Sequence, residues 1–155
     1  MKSKPIIVSM LKTRLAAELS AMDLYLLQGR MLENWGFRKL QERFVHESSD
    51  ERGHADRLIQ RILFLDGEPD LAPRLKLSAG KNVKEMLDNA LVYELEVAQA
   101  LNDGIALAEK EGDNGTRHLL EQLLKDTEED HIFWLESQLR LIGTLGLDKY
   151  LAQQL

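Results

Sequence analysis

The 155-residue chain lacks several features that would assign it to a class at once. It has no cysteine, which excludes disulfides and thiolate metal sites. It has only three prolines, Pro5, Pro69 and Pro73, so long stretches carry no helix breaker of that kind. No run of about 18 apolar residues indicates a membrane span, and the first residues lack the apolar stretch and cleavage site of a signal peptide. We therefore expect a cytoplasmic protein.

The chain also lacks a basic run, and its formal net charge is -6. Nucleic acid and anionic membranes bind clustered Lys and Arg, so neither is an expected partner. An acidic chain suits cations. Because cysteine is absent, a bound metal must be held by carboxylates and imidazoles, which favours iron, manganese or zinc.

Strong helix formers such as Leu, Ala, Glu and Lys dominate the composition, which predicts an all-α fold in one domain, residues 1–155. Glycines mark the helix ends, and Asn82 is a plausible N-cap. The pattern predicts four long helices and a short fifth, over residues 5–35, 38–65, 82–111, 116–143 and 147–154.

The connections between these helices differ in length, and this predicts the topology. Those at Gly36 and at residues 112–115 are short, so they join antiparallel neighbours. The segment 67–81 has 15 residues and can reach about 50 Å, whereas a 28-residue helix is about 42 Å long. We therefore predict a four-helix bundle with one long crossover between its second and third helices.

The apolar residues of each long helix recur at spacings of three and four, so they share one face that should point into the bundle. Glutamate interrupts all four of these apolar faces, and histidine interrupts two. The interrupting residues are Glu18, Glu51, His54, Glu94, Glu128 and His131, while Glu47 also lies near this face and is expected to hydrogen-bond to its neighbours. Isolated buried carboxylates cost several kcal/mol each, a cost that bound metal would offset.

Two of the interruptions have the form E-x-x-H, Glu51 with His54 and Glu128 with His131. Residues i and i+3 share a helix face, so each pair can reach one metal ion. Glu18 precedes Glu51 by 33 residues and Glu94 precedes Glu128 by 34. Both halves of the chain thus repeat one pattern, which is typical of di-iron carboxylate bundles.

Longer segments carry a family resemblance that covers essentially the whole chain. They are NWG at 34–36, HESSDERGHADRLIQRILFLDG at 46–67, LKDTEEDHIFWLE at 124–136 and LDKYLAQQL at 147–155. On these segments the chain resembles bacterioferritin. The resemblance implies a ferritin-like fold, with Glu51 and Glu128 bridging two irons, Glu18 and His54 completing one iron site, and Glu94 and His131 completing the other.

The resemblance also gives roles to residues beyond the six ligands. Tyr25 matches a tyrosine that can donate an electron in the family; the alternative is a core aromatic with a satisfied hydroxyl. His46 and Asp50 match positions that bind a further iron on the inner surface of the family's shell. The alternative for this pair is an ordinary solvated helix face.

One position departs from the family. Its haem b is held by a methionine from each of two subunits, and this chain has Arg52 there. Arginine stays protonated and offers iron no lone pair, so bis-methionine haem is not expected from this subunit. A methionine-bearing bacterioferritin subunit could share a mixed shell with it. The resemblance further implies a shell of 24 subunits and a ferredoxin that supplies electrons for iron release.

Three functions remain open on the sequence. The first is iron storage, in which the paired sites act as a ferroxidase that oxidises Fe(II) with O2 or H2O2 and the Fe(III) collects as mineral inside the shell. The second is a soluble di-iron oxidase or peroxidase with a small substrate, because fold and ligands do not fix function. The third is a structural bundle without metal. The resemblance favours the first.

Overall fold

A computed structural model describes residues 4–155, which are mostly helical, with no β-strand among them. In chain order the elements are α1 (Pro5–Trp35), α2 (Arg38–Phe64), α3 (Val83–Lys110), α4 (Asn114–Asp126), a π-helical turn (Thr127–Ile132), α5 (Phe133–Leu145) and α6 (Leu147–Ala152). The predicted ferritin-like bundle with a short C-terminal helix is confirmed. Across residues 4–155, no helix is both long enough and apolar enough to cross a membrane.

The predicted helix-ending glycine and N-cap residue mark the end of α1 and the start of α3. Gly36 adopts a left-handed backbone with φ of 86°, and its amide donates to the carbonyl of Glu33. Glycine adopts this conformation at little cost, so it closes α1 and lets α2 turn back. The Asn82 side chain accepts a hydrogen bond from the Glu85 amide at 2.9 Å, as an N-cap of α3 should.

The antiparallel hairpin of α1 and α2 allows close approach at Gly29. A Cβ atom there would lie 3.0 Å from Val45 Cγ2. The interior between the helices is filled by fully buried aliphatic side chains, among them Leu11, Leu15 and Leu58. This packing holds the middle of α1 and α2 rigidly, and that is where their glutamates lie.

The long crossover has no regular secondary structure but is fastened along α1. The Leu75 amide donates to Ser20 Oγ at 2.8 Å, and Gln28 Nε2 donates to the Ala79 carbonyl at 3.0 Å. The crossover therefore runs in the same direction as α1 and ends near the start of α2. As a result α3 starts at the same end of the bundle as α2, as the loop length predicted.

The fourth long helix departs from the prediction of one helix over residues 116–143. It begins at Asn114, widens into the π-helical turn, and resumes as α5, which ends at Leu145. A π-helical turn bonds residue i to i+5 and holds more residues per turn than the α-helix. The side chains of α4 and α5, on either side of the turn, therefore stay on the faces that they present to the bundle. Side chains within the turn are rotated relative to their positions in a regular α-helix.

The last helix packs back on the bundle and ends at Ala152, two residues earlier than predicted. Tyr150 is buried, and its hydroxyl donates to Gln138 Oε1 at 2.7 Å. The Lys39 amide donates to the Gln154 carbonyl at 3.1 Å. So short a helix is not stable alone in water, and these contacts supply what it lacks.

Asp113 caps α4 and should contribute measurably to stability. Its Oδ1 accepts from the Thr116 amide at 3.0 Å and lies 2.7 Å from Arg61 NH2. Burial alone would raise the pKa of Asp113, but the Thr116 hydrogen bonds and the Arg61 charge outweigh it and lower that pKa. Asp113→Ala should cost about 1–2 kcal/mol of unfolding free energy at neutral pH.

The lowered pKa fixes how this loss depends on pH. The carboxylate stabilises the fold above its unfolded pKa of about 3.9, and its contribution disappears as the pH falls through the folded value. Urea unfolding of both proteins should therefore give curves that differ at pH 7 and converge in acid. Asp56→Ala, which removes an exposed aspartate of α2, is the control, and a difference independent of pH would contradict the assignment.

Candidate metal centre

Five of the six predicted ligands converge in the middle of the bundle. Each is at most 5% exposed. They form two groups whose ligand atoms lie within 4.8 Å of one another, and both groups share Glu51. We call them site A (Glu18, Glu51, His54) and site B (Glu51, Glu94, His131).

Site A takes one side chain from α1 and two from α2. His54 Nδ1 lies 3.4 Å from Glu18 Oε2 and 3.5 Å from Glu51 Oε2. The opposite ring nitrogen, Nε2, lies 3.3 Å from Asp126 Oδ2. A carboxylate behind a histidine fixes the ring and favours a proton on the far nitrogen, which leaves Nδ1 free for a metal.

Site B takes side chains from α2, α3 and the π-helical turn. His131 Nδ1 lies 2.9 Å from Glu51 Oε1 and 3.4 Å from Glu94 Oε1. The hydroxyl of Tyr25, the residue predicted as an electron donor, donates a hydrogen bond to the same Glu94 oxygen. The rings of His131 and His54 stack with centroids 6.0 Å apart, so both present Nδ1 to the Glu51 carboxylate between them.

The predicted placement of Glu128 beside His131 is wrong in this structure. The Glu128 side chain is exposed, and the buried position is taken by Thr127. Among residues 4–155, Glu128 belongs to none of the groups of side chains that could hold a metal. The reason is the π-helical turn. In an α-helix the residue three before His131 would share its face, but the wider turn brings the residue four before it to that face.

The far side of the His131 ring, at Nε2, faces acidic side chains outside site B. Its Nε2 lies 2.7 Å from Glu47 Oε2 and 3.6 Å from Asp50 Oδ2. Glu47 was expected to support the ligands by hydrogen bonding, whereas Asp130 and Arg43 were not expected near them. Arg43 NH2 lies 2.5 Å from Glu47 Oε1 and 3.1 Å from Asp130 Oδ1. The spacing of four between Arg43 and Glu47 was the available signal.

Protons compensate the buried carboxylates of site A. Burial, reinforced by repulsion from Glu51, raises the pKa of Glu18 to about 8. Burial alone would lower the pKa of His54, but the facing carboxylates of Glu18 and Glu51 raise it to about 10. Burial opposes ionisation of Glu51, yet its hydrogen bond with Glu18 keeps its pKa below the ordinary value.

The same electrostatics operate at site B. Burial would lower the pKa of His131, but the close carboxylates of Asp50, Glu47, Glu51 and Glu94 raise it strongly. Burial and the charge of Glu94 raise the pKa of Tyr25, so its hydroxyl keeps its proton and donates to Glu94. A divalent cation at either site could replace these protons.

Unsatisfied buried atoms at the centre fit bound cations. Within residues 4–155, His54 Nδ1, which faces site A, is buried without a hydrogen-bond partner. Both Glu47 oxygens and His131 Nε2 also lack a partner, on the opposite side of the His131 ring, where Glu47, Asp50, Asp130 and His131 form a third group that could hold a metal. Buried polar atoms are normally paired. Carboxylate oxygens with one imidazole per site form a hard donor set that suits iron, manganese or zinc.

The predicted inner-surface pair also lies together. His46 Nε2 is 3.3 Å from Asp50 Oδ2. Both line a polar cavity of about 390 Å³ that extends to His54 and Asp126. The cavity reaches His54 beside Asp126, which lies on the Nε2 side of the His54 ring. The Arg52 side chain is exposed.

Comparison with known proteins relates the whole chain to one group. The family model of the ferritin-like domain matches residues 8–145. Proteins named bacterial ferritin from Synechocystis sp. and Pseudomonas aeruginosa are each 46% identical over 155 residues, covering 100% of this chain and at least 99% of their own length. A bacterioferritin from Mycobacterium leprae is 40% identical over 153 residues, which is 99% of this chain and 96% of its own.

Proposed function

Because the chain belongs to the ferritin-like domain family, we propose that it stores iron and oxidises Fe(II) to Fe(III) at the paired sites. The observation that carries the proposal is the position of Glu51, whose two oxygens face His54 and His131 separately. One carboxylate can thereby hold two Fe(II) ions as neighbours. The protein is a ferroxidase, with Fe(II) as substrate and ferric mineral as product.

We assign Glu18, Glu51 and His54 as ligands of one Fe(II) and Glu51, Glu94 and His131 as ligands of the other. Each pair of Fe(II) ions gives two electrons to O2, which takes up two protons and becomes H2O2; H2O2 can in turn accept two electrons. Anionic oxygen ligands stabilise Fe(III) more than Fe(II), because their attraction grows with the charge of the ion. The ligand set therefore favours oxidation.

The supporting residues follow from the geometry. Tyr25 donates a hydrogen bond to Glu94 at site B, and we propose that it can also donate an electron there. His46 and Asp50 would bind a further iron on the inner surface of the shell, and both line the polar cavity. Glu128 is too exposed in this structure to bridge the irons.

We further propose that the chain forms a hollow shell of 24 subunits, alone or mixed with a methionine-bearing subunit. Apolar side chains remain exposed on helix surfaces, among them Leu26, Leu27 and Phe133, and contacts with further subunits would cover them. Iron release would draw electrons from a ferredoxin.

The residues at the family's haem position do not fit haem. Arg52 is exposed, and its guanidinium offers no lone pair to haem iron. We therefore propose that this subunit does not provide an axial haem ligand there.

Iron loading tests storage directly. After aerobic addition of excess Fe(II), iron should co-elute on size exclusion with a species of several hundred kilodaltons, at many irons per subunit. Two irons per subunit in a small species would instead support an oxidase with a small substrate, which the ferritin relatives do not favour. Protein that elutes free of iron would contradict the metal assignment.

A further inference from the structure

The guanidinium of Arg43 joins α2 to the π-helical turn next to site B. Its NH2 donates to Asp130 Oδ1 at 3.1 Å and to the Asp130 carbonyl at 3.3 Å. The same nitrogen lies 2.5 Å from Glu47 Oε1, and the guanidinium carbon sits 4.7 Å from the centroid of the Trp134 ring. Arg43 therefore contacts both the π-helical turn and the first turn of α5.

These contacts lie around His131, which supplies the nitrogen ligand of site B. His131 follows Asp130 directly, and its Nε2 lies 2.7 Å from the Glu47 carboxylate that Arg43 holds. We propose that Arg43 is a positioning residue for His131. Arg43 fixes the π-helical turn and the Glu47 carboxylate, so that Nδ1 of His131 faces the metal position. The inference rests on the proposed function of site B and adds a residue to it.

Two further observations favour this role over a merely structural one. The Nε atom of Arg43 is buried and has no hydrogen-bond partner in the part of the chain that the structure describes, a cost that a contact built for stability would avoid. In addition, the Arg43 contacts found within residues 4–155 are with Glu47, Asp130 and Trp134, all next to site B. At site A the corresponding support for His54 is Asp126, from the end of α4.

This asymmetry gives a selective test with Co(II), whose visible absorption reports its ligands without oxidation. Anaerobic titration of the wild-type protein should show two tightly bound Co(II) ions per subunit, at sites A and B, and His131→Ala supplies the spectrum of site A alone. In Arg43→Met, affinity at site B should fall by about 10–100-fold, the usual effect of losing a partner behind a ligand. Site A should change by less than about threefold.

Arg43→Lys should rescue only part of the loss, because an ammonium cannot reproduce the planar contact of the guanidinium with the Trp134 ring. Asp130→Ala removes the contact from the other side and should give the same selective loss, which provides a second variant should Arg43→Met fold poorly. Arg38→Met is the matched control, since Arg38 lies on α2 and pairs with the exposed Glu42.

The outcomes separate this inference from the function on which it rests. If the wild-type protein binds fewer than two Co(II), the paired-site function fails. If it binds two and Arg43→Met binds both with wild-type affinity, only the role of Arg43 fails. Equal weakening of both sites, or full rescue by lysine, would also overturn positioning by Arg43, since the first indicates a general structural effect and the second a requirement for charge alone.

Discussion

Glu51→Gln should abolish rapid Fe(II) oxidation while leaving the helical bundle intact. Glu51 is the one carboxylate that the two sites share, so its loss weakens both at once. An amide carries no charge and binds iron poorly. The initial rate, measured by stopped-flow absorbance at two Fe(II) per subunit, should fall by more than about 100-fold, beyond the loss expected for a partner that only supports a ligand.

Glu128→Gln is the matched control for this experiment. It makes the same chemical change in a glutamate that the sequence places at the site and the structure places in solvent. Its rate should stay within about twofold of wild type. Equal losses in the two variants would contradict the π-helical turn, and wild-type rates in Glu51→Gln would contradict the shared ligand.

Metal affinity at site A should rise steeply with pH. Glu18 and His54, with pKa values of about 8 and about 10, both carry protons at pH 7, and a metal ion must displace them. Binding then releases about two protons, so the apparent dissociation constant should fall about 100-fold per pH unit below pH 8. Between pH 8 and pH 10 only His54 still loses a proton, and the slope should drop to about tenfold.

Zn(II), which does not change oxidation state, allows this slope to be measured. Calorimetric titration of His131→Ala, which isolates site A, in two buffers of different ionisation enthalpy counts the protons released. Glu18→Gln in the same background should release one proton fewer. Affinity that stays constant between pH 6 and pH 8 would show that neither group is protonated before the metal binds.

The helix ends that depend on single residues were predictable from the sequence. Gly36 and Asn82 mark helix ends by their own backbone preferences and hydrogen bonds, which depend on few neighbours. The length of the crossover likewise implied its course. The hydrogen bonds that fasten it to α1, such as that from Gln28 to Ala79, join residues far apart in the chain and leave no local signal.

The metal centre was predictable as far as the α-helical period holds. Glu51 and His54 lie in a regular helix, so their spacing of three places both at site A. The same spacing did not place Glu128 beside His131. The π-helical turn contains no glycine or proline from which it could have been predicted. Arg43 was missed for another reason: an arginine at this spacing from a glutamate usually forms an ordinary surface pair.

The π-helical turn also separates the register of the two halves of the last long helix. In a continuous α-helix, one residue more or less would rotate every following side chain by about 100°, and Trp134 and Leu135 would lose their places in the core. A turn that holds an additional residue confines the change to itself. The faces of α4 and α5 are thereby set independently, so the chain can vary in length by one residue beside its metal centre without repacking the bundle.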